Sequence, residues 1–108
     1  MADHEELTYP LLKILKPFLQ DEVKNSEELI ETLRCYVYQN GNIKETAGLL
    51  YCHYNSVLYR LERIESILGI SVRNPDNFFH LQLAIRLYDF MRKMQPQLMT
   101  KVLLHLKF

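Results

Sequence analysis

The sequence has few of the residues that interrupt helices or crosslink chains. It contains no tryptophan, three glycines, four prolines and two cysteines among 108 residues. Scarce glycine and proline favour long helices over many short strands. No apolar run approaches the roughly 20 residues that a membrane-spanning helix needs, and the acidic, polar stretch 1–6 is unlike a secretory signal. We therefore expect a cytoplasmic chain that has no membrane partner.

Spacings typical of metal sites, disulfides and catalytic centres are also missing. Cys35 and Cys52 follow no known motif and are predicted to be buried, reduced thiols. The four histidines lie too far apart in sequence for a zinc site. There is no glycine-rich phosphate loop, nucleophile elbow or His-Glu-x-x-His motif. We predict no catalytic residue, no metal and no cofactor, so the chain is not expected to be an enzyme.

The net charge of zero hides an uneven distribution along the chain. Residues 1–41 carry eight acids and four bases, residues 42–70 carry three of each, and residues 71–108 carry two acids and six bases. The charges of the three segments are therefore −4, 0 and +4. A basic C-terminal segment is compatible with a polyanionic partner but also with an ordinary solvated face. The length predicts a single helical domain over residues 1–108.

Hydrophobic periodicity predicts an all-α fold of five to six helices, because no segment alternates with the period of a strand. The helices are predicted to begin near residues 10, 25, 42, 54, 75 and 97. Pro17 should kink or split the first helix. Asn25 and Glu28 have the spacing of a capping box at the second helix, which Asn40-Gly41 ends.

Capping signals also delimit the middle helices. Asn42 should cap a short helix, and Gly69 should end the longer helix that runs to about Leu68. Asn74 followed by Pro75 is typical of a helix start, and that helix should reach about Met94. The final helix is predicted over residues 97–108.

Residues 42–69 meet the steric requirements of a helix-turn-helix. Ala47 is small where the second helix crosses the first, and Cys52 can fill the turn. Four apolar residues form the inward stripe of the second helix: Val57, Leu61, Ile64 and Leu68. The domain is therefore predicted to have a helix-turn-helix core with C-terminal helices over about 75–108.

The same stripe determines which side chains of the second helix face outward. At 100° per residue, Asn55, Tyr59, Glu62 and Ser66 point away from it. N-terminal residues of such a helix reach base edges in the major groove, where asparagine can bind adenine and leucine can touch a thymine methyl. The predicted contacts with double-stranded DNA are His53, Tyr54, Asn55, Ser56, Leu58, Tyr59, Arg60 and Arg63.

The stretch ETLRCYVYQNGNIKETAGLLYCHYNSVLYRLERIESILGI, residues 31–70, closely resembles the C-terminal output domain of PucR/CdaR-type bacterial transcriptional regulators. The resemblance covers roughly residues 11–91 and is most specific over 53–69. It implies sequence-specific DNA binding as a regulator's output domain, with an effector-sensing region lying outside this chain. Members of the family often have arginine where this chain has Tyr54, Leu58 and Glu62.

Those substitutions leave an alternative function open. With a neutral outer face, the chain could instead be a helical protein–protein interaction or dimerisation module with a vestigial helix-turn-helix.

Two arrangements of the apolar C-terminal side chains also stay open. In one arrangement these side chains form the surface of a homodimer. In the other, the last helix folds back over the first helix and covers them. The large apolar residues in question are Phe78, Phe79, Phe90, Met94, Met99, Leu103 and Phe108.

Overall fold

The computed structural model describes residues 12–19, 23–94, 96–97, 100–101 and 104, and this part of the chain contains no strand. A 3-10 turn, Lys13–Leu15, leads into α1 (Lys16–Leu19), and four longer helices follow. They are α2 (Ser26–Tyr38), α3 (Ile43–Leu50), α4 (Tyr54–Leu68) and α5 (Pro75–Met94). The predicted all-α fold is confirmed.

The first predicted helix is split, as Pro17 suggested. Pro17 is the second residue of α1, where its missing N–H leaves no helical hydrogen bond unmade. The tighter 3-10 turn before it ends on Leu15, which is buried. The predicted start near residue 10 lies outside the described residues, as does most of the predicted final helix over 97–108.

The predicted capping box at α2 is wrong. Asn25 precedes the helix in a left-handed conformation, φ 63°, and its side chain forms no capping hydrogen bond. In this conformation the chain enters the helix by a sharp turn, and Glu28 extends instead toward Arg60 of α4. The predicted end is confirmed. After Tyr38 the chain leaves the helix through left-handed Asn40 and Gly41.

The other predicted caps are confirmed. Asn42 accepts a hydrogen bond from the backbone N–H of Glu45 at 2.9 Å. Gly69 adopts a left-handed φ of 72° and ends α4 by donating to the carbonyl of Glu65. Asn74 accepts from the N–H groups of the second and third residues of α5. Each side chain satisfies amides that a helix terminus leaves without partners.

Helix α2 lies at the centre of the fold and packs against each of the other helices. Its buried apolar face meets the inward stripe of α4, of which Val57, Leu61 and Ile64 are buried and Leu68 is half-buried. The buried core also includes Leu15, Phe18, Leu29, Leu33, Tyr36, Val37, Ala47, Val72, Leu81, Ala84 and Ile85. The core therefore fixes the position of α4 from the side opposite its exposed face.

The cysteines depart in part from expectation. Both carry free thiols, as predicted, but each is half-buried rather than buried. Cys52 packs at the edge of the core beneath the turn, and Cys35 lies near the Glu31 carboxylate on the surface of α2. Burial raises the pKa of the Cys35 thiol, and the negative charge of Glu31 adds to the effect.

Helix α5 carries apolar residues on two opposite faces. Leu81, Ala84, Ile85 and Met91 are buried against the core. On the opposite side an exposed apolar row, here called the α5 stripe, consists of Phe79, Leu83, Phe90 and Met94. At 100° per residue these four lie within an arc of about 60°. As predicted, the large apolar residues of this segment do not all point inward.

Candidate nucleic-acid interface

The turn between α3 and α4 is closed by backbone hydrogen bonds. Tyr51 adopts a left-handed φ of 54° at the end of α3, and its side chain is 96% exposed. The N–H of Cys52 donates to the carbonyl of Ala47 at 3.1 Å. Ala47 is buried at this crossing, where the packing favours a small residue. The predicted helix-turn-helix geometry is therefore present.

His53 caps α4. Its Nδ1 accepts a hydrogen bond from the backbone N–H of Asn55 at 3.1 Å, and its carbonyl accepts from Ser56 and Val57. An acceptor Nδ1 places the ring proton of the neutral imidazole on Nε2. Nε2 is then available as a donor at the start of the helix, on an exposed side chain.

The side chains predicted to face outward do so. Asn55, Tyr59, Glu62 and Ser66 are all exposed, with Tyr59 at 62%. This is expected, because the buried stripe of α4 lies on the opposite side. The row supplies an amide, a phenol, a carboxylate and a hydroxyl, which are groups able to bind base edges or phosphates.

The flanks of this row are less exposed. Tyr54 is 46% exposed on one side, next to half-buried Leu58. On the other side Ser56 and Arg63 are also half-buried. The exposed row with Asn55 and Tyr59 is therefore bordered on both sides by predicted residues that are less exposed.

Arg60 differs from the other predicted contacts because it already has a partner. Its Nη2 lies 3.3 Å from Oε2 of Glu28, and Nη1 lies 3.9 Å from the sulfur of Cys52. The Arg60 side chain is 21% exposed. It therefore links α4 to the start of α2 and fills space beside the turn.

A recess at the N-terminal end of α4 contains residues that the sequence did not single out. It has a volume of about 540 Å³ and is lined in part by Tyr36, Lys44, Tyr54, Arg73 and Phe78. Lys44 precedes the predicted contact region and Arg73 follows α4, so the pattern of one helix could not reveal them. No local signal pointed to them, because the recess forms where separate helices pack together.

Two negative findings concern the described residues only. They include no group of three or more His, Cys, Asp or Glu side chains arranged to hold a metal ion. None of their helices combines the length and apolar character needed to cross a bilayer.

Comparison with known proteins identifies the family. The model of the PucR C-terminal helix-turn-helix domain matches residues 29–87, more than half of the chain. The chain is 39% identical over 69 residues to the purine catabolism regulatory protein of Bacillus subtilis strain 168. It is 33% identical over 79 residues to the DNA-binding transcriptional activator AdeR of the same strain. No solved structure matches the chain significantly.

The matches cover most of this chain but little of its relatives. They span 64% of the chain and 13% of the purine catabolism regulatory protein, and 73% of the chain and 18% of AdeR. The family match contains all of α3 and α4 and every predicted DNA contact. The chain belongs to the PucR C-terminal helix-turn-helix family.

Proposed function

We propose that this chain recognises particular sequences of double-stranded DNA by placing the N-terminal half of α4 in the major groove. As a PucR-type helix-turn-helix, it is the DNA-binding output domain of a transcriptional regulator. The observation that supports α4 as the reader is the exposed row begun by Asn55 and Tyr59, held by a buried opposite face. Recognition helices of this class read base edges from their N-terminal residues.

Each predicted contact has a role suited to its chemistry and position. Asn55 can bind adenine through two hydrogen bonds, and Leu58 can touch a thymine methyl. Ser56 and Tyr59 carry hydroxyls for a base or a phosphate. We assign the DNA backbone to the remaining four residues: His53, Tyr54, Arg60 and Arg63.

The rival function is a helical protein–protein interaction module. The charge of the α4 surface is compatible with it, since Glu62 adds an exposed negative charge to that surface. The exposed polar row of α4 is not compatible with that function, because the core of a protein interface is depleted in charge and enriched in apolar side chains. We propose no catalytic role, since helix-turn-helix domains of regulators generally act by binding.

Selection of binding sites from a pool of random duplexes tests the proposal. The wild-type chain should enrich a short common sequence. Asn55→Ala should weaken binding to that sequence by about 1–3 kcal/mol and leave binding to random duplex nearly intact. Ser66→Ala is the matched control, because Ser66 is exposed on the same face three turns further along the helix.

Two results would contradict the proposal. Failure to enrich any sequence at low salt would favour the protein-interaction function. Equal losses on random and selected DNA for Asn55→Ala would show that Asn55 does not read a base.

We also propose that the domain acts on DNA as a homodimer that forms through the α5 stripe. The four exposed apolar side chains face away from the core and lie next to one another on a single helix. Two copies on half-sites about 34–36 Å apart would roughly double the phosphate contacts. We propose a second copy of this chain as the partner of the α5 stripe, because a two-fold interface uses the same surface on both subunits.

Sedimentation at micromolar concentrations tests this assembly. The wild-type chain should form dimers, and Phe90→Ser should shift it toward monomers. Tyr51→Ser is the control, since it also removes an exposed aromatic side chain but lies far from the stripe in sequence. A monomer that binds one half-site with full affinity would rule the dimer out.

The wider setting of the domain is proposed from its relatives. Because the matched relatives are several times longer than this chain, we place effector sensing in a region outside these residues. We also propose a cytoplasmic location, because the proposed DNA partner lies there in bacteria. Both proposals can be tested in the producing cell, by fractionation and by following regulation with the region preceding the domain deleted.

A further inference from the structure

The α5 stripe is symmetric along its helix. Phe79 and Met94 lie equally far from the midpoint between residues 86 and 87, and so do Leu83 and Phe90. A two-fold axis through that midpoint, at right angles to the helix, would place each of the four exposed apolar side chains opposite another one. Such an arrangement is isologous, because each residue of a pair makes the same contact in both copies.

A single antiparallel register pairs the whole stripe. With the axis between residues 86 and 87, Phe79 of one copy faces Met94 of the other, and Leu83 faces Phe90. Each level of the interface then combines a phenyl ring with a side chain that is not aromatic. A shift along the helix would leave members of the stripe facing residues outside it. The paired segment is about 22 Å long at 1.5 Å per residue.

The charges at the two ends of α5 favour an antiparallel pair over a parallel one. Asp76 lies in the first turn of the helix, and Arg92 and Lys93 lie in its last turn. In an antiparallel pair the acidic end of each helix lies beside the basic end of the other, and the two helix dipoles are opposed. A parallel pair would instead bring the two basic ends together.

Arg86 lies midway along the stripe, close to the position of the two-fold axis, where two positive charges would meet. Its guanidinium turns toward α2 and lies 4.7 Å from the centroid of the Tyr38 ring. The Tyr38 hydroxyl donates to the carboxylate of Asp89 at 2.9 Å, which holds the ring in place. The cation–π contact thus keeps this positive charge to one side of the stripe.

We propose that two copies of this chain pair through antiparallel α5 helices, with the two-fold axis between residues 86 and 87. The contacts that specify this register are Phe79 with Met94 and Leu83 with Phe90. The inference rests on the homodimer proposed above, to which it adds the orientation and the register of the two subunits.

Disulfide trapping tests the register. In a background with Cys35→Ser and Cys52→Ser, a chain with Phe79→Cys and a chain with Met94→Cys are mixed and oxidised at micromolar concentrations. The expected product joins one chain of each kind. Phe79→Cys alone should not crosslink, because its two copies would lie about 22 Å apart along the helices. A disulfide needs Cα atoms within about 7 Å of each other.

A matched mixture provides the control. Phe79→Cys mixed with Leu83→Cys should give no product, because both positions lie in the same half of the stripe and stay apart in the antiparallel register. All three substituted side chains are exposed, so the fold should persist, and circular dichroism of each variant checks this.

Opposite charges test the same pairing without a covalent bond. Leu83→Glu and Phe90→Lys should each weaken self-association by about tenfold or more, because each places a charge against an apolar side chain. An equimolar mixture of the two should restore the dimer, since position 83 of one chain faces position 90 of the other. A mixture of Leu83→Glu with Leu83→Lys should not restore it. Sedimentation measures all four samples.

Each contrary outcome has a distinct meaning. A product from Phe79→Cys alone, or rescue between the two position-83 variants, would show a parallel pair and overturn the register. A wild-type dimer that gives no mixed disulfide and tolerates both charged variants would form through another surface, which also overturns it. A wild type that stays monomeric would overturn the homodimer itself, as expected if the last helix covers the stripe. The selection of DNA sites tests α4 separately from all of these.

Discussion

The guanidinium of Arg34 in α2 holds the carboxylate of Asp89 in α5 across 55 residues of sequence. Its Nη2 donates to Oδ1 at 2.9 Å, and Nε lies 3.1 and 3.2 Å from the two carboxylate oxygens. The Tyr38 hydroxyl donates to the same carboxylate at 2.9 Å, and Glu31 also pairs with Arg34. Burial would lower the pKa of Arg34, but the bonds to Asp89 and Glu31 raise it overall. This cluster ties α5 to the central helix.

Replacing Asp89 should destabilise the fold. Arg34 and Asp89 are 22% and 19% exposed, so the pair is only partly screened. We expect Asp89→Asn to lower the free energy of unfolding by about 1–2 kcal/mol, measured in urea. Glu62→Gln, at an exposed carboxylate outside the described ion pairs, should change it by less than about 0.5 kcal/mol. Equal effects would show that the cluster contributes little.

The two asparagines that precede α2 and α3 should respond oppositely. Asn42→Ala removes a capping hydrogen bond and should cost about 1 kcal/mol of unfolding free energy. Asn25 makes no cap and holds a left-handed φ, so Asn25→Gly should be neutral or slightly stabilising. Thermal unfolding compares the two. A similar loss for both would mean that Asn25 has a role other than tolerating that φ.

Glu28 should compete with DNA for Arg60. If Arg60 contacts the backbone, Glu28→Gln should tighten non-specific binding by a few-fold at low salt, because it releases the guanidinium. Glu27→Gln removes the same charge from the neighbouring exposed position and measures the general effect of charge. Identical affinities for the two variants would make Arg60 a structural link only.

Restoring arginine to the outer face should strengthen DNA binding. Glu62→Arg changes an exposed position of α4 by two charges and should tighten non-specific binding at low salt, with a steeper salt slope. Ser66→Arg lies one turn further from the N-terminal end and should gain less. If neither variant binds more tightly, this face does not approach a phosphate backbone.

Stability should fall in alkaline solution because of Tyr36. Burial raises the pKa of its phenol above 10, and Arg73 offsets this only in part. Because the pKa of Tyr36 is higher in the folded state than in the unfolded state, its contribution to the free energy of unfolding is fully present below the unfolded-state pKa. That contribution is lost as the pH rises through the folded-state pKa. Denaturant titrations at pH 7 and above 10 should show a smaller loss for Tyr36→Phe than for the wild type. Equal losses would assign the decline to other groups.

The helices could be predicted from local signals, and the exceptions show where those signals fail. Asn42, Asn74 and Gly69 act within one turn of chain, so their roles follow from sequence alone. Asn25 has the same capping spacing, but its left-handed backbone keeps the cap from forming. Whether a cap forms depends on how the preceding chain enters the helix, which the sequence of the helix does not specify.

The outward face of α4 was predictable for a similar reason. A buried stripe of period 3.6 leaves only one direction for Asn55 and Tyr59. The partner of Arg60 was not predictable, because Glu28 lies 32 positions earlier and approaches only when α2 packs on α4. The recess between Lys44 and Arg73 likewise arises from the packing of separate helices.

The domain contains no tryptophan, and three of its tyrosines, Tyr51, Tyr54 and Tyr59, are exposed. Its tyrosine fluorescence can therefore report on binding. All three phenols lie in the turn or the first half of α4, at 96%, 46% and 62% exposure. Ultraviolet emission from the folded chain comes from tyrosine alone, with no stronger indole signal to mask it. A nucleic acid that docks on α4 should quench the part of this emission that comes from these three of the seven tyrosines. Occupancy can therefore be followed on the unlabelled protein.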